Sequence, residues 1–327
     1  MRANVVFTSN VSRGSCCAAA IWLVMPAVAA ASAKSSEADG AEAVAVEPIE
    51  LPLSVFADSE VSLRFLCRGV SRVPWQVMVN GQTLARGVLR VASDRVEIRF
   101  RTPPVKPHVA LPLQLAVGGA EHKITVFSRD VLSDRRRWAE GLAVSLYDPP
   151  GETAKALDRI EFPYRRLTNL GSLSTVARGM VVVGEGIDLE NQRGLDQTLY
   201  QIATGGVPVL LLAPAAGSLA APDRGPERFE LRAPAVGRLI EPCVINDLER
   251  KTGFVLAVRS GRPVLQVIGE PRSYAWIDLE FNAARARFVA IGWGLLDGWD
   301  DYPAPRYFFV ALLEILSQGR DVDAGKK

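Results

Sequence analysis

Three stretches of this 327-residue chain hold side chains that could do chemistry. In Gly184-Glu185-Gly186 a carboxylate stands between two glycines. At a strand end, Glu185 and Gly186 would face a ligand in a shallow pocket. The same tripeptide also fits a turn in which the glycines set the backbone and the acid caps the next helix. The second stretch, Asp148-Pro149-Pro150-Gly151-Glu152-Thr153, joins a strand to a helix start, where an anion can be cradled. It lacks the lysine and spacing of a phosphate loop, and a plain tight turn accounts for it. The third, GWGLLDGWDDY at 292–302, gathers Trp293, Asp297, Trp299, Asp300, Asp301 and Tyr302. Flat rings beside carboxylates suit the faces and hydroxyls of sugars, and aromatics in a loop after a strand are also ordinary rim packing. The glycines of this stretch have the wrong last spacing for a dinucleotide fingerprint and follow a late strand. Glu185 and Asp297 could form the carboxylate pair of a glycan hydrolase, a mechanism that depends on their separation in space.

Other chemistry finds little support. The only histidines, His108 and His122, fall outside all three stretches. Beyond residue 33 the cysteines are Cys67 and Cys243, with no C-x-x-C and no zinc spacing. In an oxidising compartment they could pair, although two buried free thiols are the plainer expectation. No metal and no cofactor is predicted.

These residues need elements to position them, and the chain is organised around 180–214. Met180–Val183 and 208–213 are short, almost unbroken apolar runs, as expected of parallel strands covered on both faces. Between them Leu195, Leu199 and Ile202 share one helix face, and Gly205-Gly206 ends that helix. The result is a strand–helix–strand unit in an α/β domain at 142–320. Further strands are expected at 142–147, 164–167, 264–268, 274–279 and 287–291. Helices are expected at 152–160, 173–177 and 307–318, with a helical turn at 247–251 and a long loop at 215–238. Before this region, 47–130 carries seven short β-rich runs: 49–55, 61–67, 74–79, 83–89, 96–101, 111–117 and 122–128. Asn80-Gly81 is a hairpin signal, and Val96, Ile98 and Phe100 alternate with charged residues. This spacing predicts a β-sandwich, joined to the second domain by a charged linker at 131–141.

The first 33 residues read as a cleavable signal peptide. Arg2 and Arg13 are its only charges, Cys16–Ala30 is an apolar core, and Ala31-Ser32-Ala33 is the cleavage pattern. Its apolar run of about 15 residues is short of the roughly 20 a span needs. A disordered leader at 34–46 and a polar tail at 321–327 complete the chain. Removing the signal takes two of the 38 basic residues and no acids, leaving 36 against 36. A mature chain of zero formal net charge makes nucleic acid and anionic membrane poor partners. The address is periplasmic or secreted, with no membrane span after cleavage.

The order of elements over about 140–320 resembles the class I glutamine amidotransferase-like fold, a flavodoxin-like three-layer α/β domain with a mostly parallel sheet. The segments MVVVGEG, GGVPVLLLAPAAG and RFVAIGWG through APRYFFVALLEIL carry the resemblance. Catalytic members place a nucleophilic Cys just after the strand matching 208–212, where this chain has Ala213 and Pro214. They also use a His-Glu pair after the last strand, where 292–302 contains no His. A Cys nucleophile needs an adjacent base. The resemblance therefore implies the fold without the reaction: a pseudoenzyme acting as a binding or scaffold module, with a carbohydrate or an envelope protein as partner. The alternative is a carboxylate-dependent glycan hydrolase.

Overall fold

The computed structural model describes residues 45–220, 226–231, 241–281 and 286–318. The expected signal peptide, most of the leader and the tail lie outside the described residues.

Residues 45–127 form eight strands: β1 (Ala45–Glu50), β2 (Ser54–Phe56), β3 (Glu60–Arg68), β4 (Arg72–Val79), β5 (Gln82–Arg90), β6 (Arg95–Arg101), β7 (Leu111–Val117) and β8 (Ala120–Phe127). They make a β-sandwich of two sheets, ordered β1-β3-β6 and β2-β8-β7-β4-β5. Alternation builds its core. Val61, Leu63, Phe65 and Cys67 of β3 point inward with Ile98 and Phe100 of β6, against Val77, Leu113, Leu115 and Ile124 of the other sheet. Asn80 and Gly81 turn β4 into β5 with φ of 48° and 78°, the left-handed geometry expected of that pair. The run expected at 49–55 is two strands in different sheets, because Pro52 cannot donate to a ladder and breaks the run.

After helix α1 (Arg136–Gly141) the period changes, and β9 (Val144–Tyr147), α2 (Glu152–Arg159), β10 (Arg165–Leu167), α3 (Leu170–Ser174), β11 (Met180–Val183), α4 (Leu195–Thr204) and β12 (Val209–Leu211) follow. Then come β13 (Ser218–Ala220), β14 (Arg228–Glu230), α5 (Pro242–Asn246), β15 (Gly253–Arg259), β16 (Arg262–Ile268), β17 (Trp276–Phe281), β18 (Ala286–Ile291) and α6 (Pro303–Ser317). Seven of these strands form one sheet ordered β10-β9-β11-β12-β18-β17-β14. β10, β9, β11, β12 and β18 are parallel neighbours, while β17 and β14 pair antiparallel. Both faces of the central strands are buried, which explains their unbroken apolar runs. Met180, Val182, Leu210 and Val289 pack beneath α1, α2 and α6. Val181, Val183, Val209 and Phe288 pack beneath α3, α4 and a small antiparallel sheet ordered β13-β16-β15.

Several expectations are corrected here. A flavodoxin-like sheet is parallel and wound by helices on both faces. This sheet is mixed, and a second sheet covers part of one face. The region expected as a loop at 215–238 holds β13 and β14 within its described residues. The sequence carries no expectation of β15: Phe254, Leu256 and Val258 share one face of the strand, and that face runs from the core at Phe254 out into solvent at Val258, which is 76% exposed. The helical turn expected at 247–251 lies earlier, as α5, opened by Pro242 in its first turn.

Candidate functional site

The ends of the parallel strands bring the predicted acids to one edge of the sheet. β9 ends at Asp148, β11 runs into Gly184-Glu185-Gly186, and β18 runs into the 292–302 loop. The chain makes this junction from its own loops. Asp148 is buried, and its Oδ2 accepts the Ala154 N–H at 2.8 Å, capping the start of α2. Its Oδ1 is buried with no hydrogen-bond partner among the described residues. A Cβ on Gly184 would sit 2.3 Å from that oxygen, so glycine is what lets β9 and β11 end side by side.

Glu185 is half-buried and tied at both ends. Its backbone N–H donates to Thr153 Oγ1 at 2.9 Å. Its Oε2 accepts two backbone N–H groups, from Leu295 at 2.6 Å and Leu296 at 3.0 Å. Burial pushes the Glu185 carboxyl above its ordinary 4.5, outweighing the two N–H groups that pull it down, and the Asp297 charge adds to the rise. Gly186, at φ 81°, donates its N–H to the Ala213 carbonyl at 2.9 Å, which stitches β11 to the end of β12. Asp297 is exposed and ion-paired with Lys251, which also approaches Glu249 at 3.4 Å. Lys251 lies across Gly294, where a Cβ would meet its Cγ at 2.4 Å. Asp148, Glu185 and Asp297 thus gather at one edge, each already engaged. Thr153, which holds the Glu185 backbone, lies in the 148–153 stretch already singled out, whereas Lys251, which pairs with Asp297, stands in no motif and carries no signal in the sequence.

The two tryptophans face inward. Trp299 is 2% exposed and meets Phe309 edge-on at 6.0 Å. Trp293 is half-buried and meets Phe308 edge-on at 5.4 Å. Trp299 is packed away, while Trp293 keeps part of its surface exposed. Tyr302 is the exposed ring of the stretch, at 44%. Its N–H donates to the Gly298 carbonyl at 2.9 Å, and a Cβ on Gly298 would lie 2.8 Å from its ring.

Ala213 and Pro214 are buried at the end of β12. Cys67 and Cys243 are both free. Burial pushes both thiols up, the opposite of an activated nucleophile. His122 packs on Phe65 inside the sandwich sheet pair, at 5.9 Å between rings. His108 lines a cavity of about 380 Å³ with Glu241, Pro242 and Tyr307. Among the described residues no group of three or more His, Cys, Asp or Glu is placed to hold a metal, and no helix is long and apolar enough to cross a membrane.

Below the 292–302 loop, a larger cleft of about 910 Å³ separates the outer face of the β1-β3-β6 sheet from residues 300–302 and the end of α5. Arg129 lies over the Phe56 ring, 4.4 Å from its centre. Arg306, 5% exposed, braces the wall by donating to the Trp299 carbonyl at 2.7 Å, the Arg129 carbonyl at 3.3 Å and Asp300 at 2.7 Å.

No family model and no curated protein matches this chain. Among solved structures it is similar to the CARDB domain of a Pyrococcus furiosus protein, at 14% identity and a TM-score of 0.21, over 26% of this chain and 94% of that one. It is also similar to the tandem Ig repeats of Dlar, at 15% identity and a TM-score of 0.20, over 32% of this chain and 58% of that one. A third is the I9–I11 tandem of titin, at 10% identity and a TM-score of 0.18, over 76% of this chain and 65% of that one. The large sheet is mixed, with β17 and β14 antiparallel, and a second sheet packs beside it, so the amidotransferase-like assignment is withdrawn.

Proposed function

We propose that this is a non-catalytic extracytoplasmic binding or scaffold protein. The observation that carries the reading is how the strand-end acids are used. Glu185 receives two backbone N–H groups, Asp148 caps α2, and Asp297 is paired with Lys251. Acids committed to loop closure hold a fold together; a general acid or base must instead reach the proton it transfers. The signal-peptide pattern at 1–33 motivates the extracytoplasmic address, and its partner would be a carbohydrate or an envelope protein. The test is to incubate the purified protein with cell-envelope glycans and follow new reducing ends. No turnover is expected.

One observation favours a second reading, a carboxylate-dependent glycan hydrolase. The Glu185 carboxyl is pushed up by burial, as in a general acid, with the Asp297 charge contributing. Turnover that Glu185→Gln abolishes would establish this reading and overturn the first.

A further inference from the structure

We propose that the cleft between the β1-β3-β6 sheet and residues 300–302 binds a neutral, hydroxyl-rich ligand, an oligosaccharide. The inference rests on the reading of the protein as a binding module and gives that module its site and ligand class. At about 910 Å³ the cleft is near the upper end of the roughly 300–1,000 Å³ usual for ligand sites.

Its charges select against ions. Most lining groups are already satisfied. Glu50 pairs with Arg64 at 3.2 Å, and Glu97 pairs with Arg99 at 2.7 Å. Asp300 pairs with Arg306 at 2.7 Å and Arg159 at 3.1 Å. Asp247 accepts from Leu53 and Ser54. Among the described residues, the side chains of Glu60, Asp301 and Asn246 make no hydrogen bond or ion pair, and neither does the Arg129 guanidinium, which lies over the Phe56 ring. What is left over is two carboxylates, one amide and one guanidinium. An anion would meet the two carboxylates; a cation would meet a fixed guanidinium. A hydroxyl does not face that conflict, because it donates to Glu60 or Asp301 while accepting from Arg129 or Asn246.

The cleft also supplies a platform. Tyr302 is 44% exposed, and its backbone bond to Gly298, together with the close approach that only a glycine permits there, holds the ring in place. A ring fixed before binding costs little entropy to use, and its face suits the C–H face of a pyranose.

The experiment is a printed array of neutral glycans probed with the full chain. It is followed by calorimetry on the strongest binder and, in parallel, on oligolysine. The expected result is glycan binding that does not change between about 0.05 and 0.5 M salt, since no ion pair forms. Tyr302→Ala and Asp301→Ala should each weaken it about tenfold, the effect of losing one stacked ring or one acceptor. Tyr302→Phe should bind as wild type, and melting temperatures should be unchanged because both side chains are exposed. Three results would overturn the proposal: no neutral glycan retained, retention indifferent to both substitutions, or salt-sensitive oligolysine binding in place of glycan binding. Consumption of the bound glycan, lost in Glu185→Gln, would instead overturn the non-catalytic reading and leave the cleft assignment standing.

Discussion

Glu185 combines a charge that burial disfavours with two backbone donors that need an acceptor. Replacing the charge and removing the acceptor therefore have different effects. Because the native carboxyl is pushed above its ordinary 4.5, the native state holds the proton more tightly than the unfolded state. Its contribution to stability is therefore fullest below the unfolded value and fades as pH rises through the native one. Glu185→Gln keeps an amide oxygen for Leu295 and Leu296 and should flatten that part of the stability–pH curve, measured by denaturant unfolding between about pH 4 and 7. Glu185→Ala leaves two N–H groups without a partner and should cost about 1–3 kcal/mol at neutral pH. Gly184 is just as constrained. A methyl there would lie 2.3 Å from Asp148 Oδ1, so Gly184→Ala should cost about 1–3 kcal/mol by forcing the ends of β9 and β11 apart.

At the scale of the element, the antiparallel part of the large sheet depends on a nearly buried ion pair. Asp278 on β17 is held by Arg287 on β18, with side-chain exposures of 6% and 23%. Burial raises the Asp278 carboxyl even with the arginine beside it. Arg287→Met should cost about 3–5 kcal/mol, since it strands a buried charge, whereas Asp278→Leu combined with Arg287→Met should recover most of the loss. Thermal or urea unfolding of the two variants checks this, and equal destabilisation would show the pair is not coupled. The elements themselves were legible wherever period and punctuation agreed. β11, α4 and β12 lie within a residue or two of expectation because alternate residues of each strand meet apolar partners on both faces. β15 escaped notice because its outer positions are hydrophobic yet face solvent, so its alternation does not show as apolar against polar.

For the whole molecule, specific polar links tie the sandwich to the rest of the described residues. Asp247, just after α5, accepts the Leu53 N–H at 2.9 Å and the Ser54 hydroxyl. Tyr307 on α6 donates to the Ser128 carbonyl at 3.1 Å, and Arg306 reaches the Arg129 carbonyl at 3.3 Å. Asp247→Ala should leave a backbone donor and a fully buried hydroxyl unpaired, costing about 1–3 kcal/mol. Hydrogen exchange should quicken first at residues 53–56, and uniform exchange across the chain would argue against a local clasp. Asp247 and Arg129 also line the cleft, so loosening their links should weaken any ligand held there.

Local pattern alone determined much of this protein. Alternation set the sandwich strands, unbroken apolar runs set the parallel core, and glycine pairs set the turns, because each depends on neighbours a few residues apart. Only the tertiary structure decided how the site residues are used. Whether Glu185 faces a ligand or a loop depends on Leu295 and Leu296, more than a hundred positions away. Whether Trp299 or Tyr302 is the open ring depends on how α6 packs. The cleft has no signature in the sequence, since its walls come from 50–64, 97, 129, 246–247 and 300–302 and meet only when the chain closes on itself.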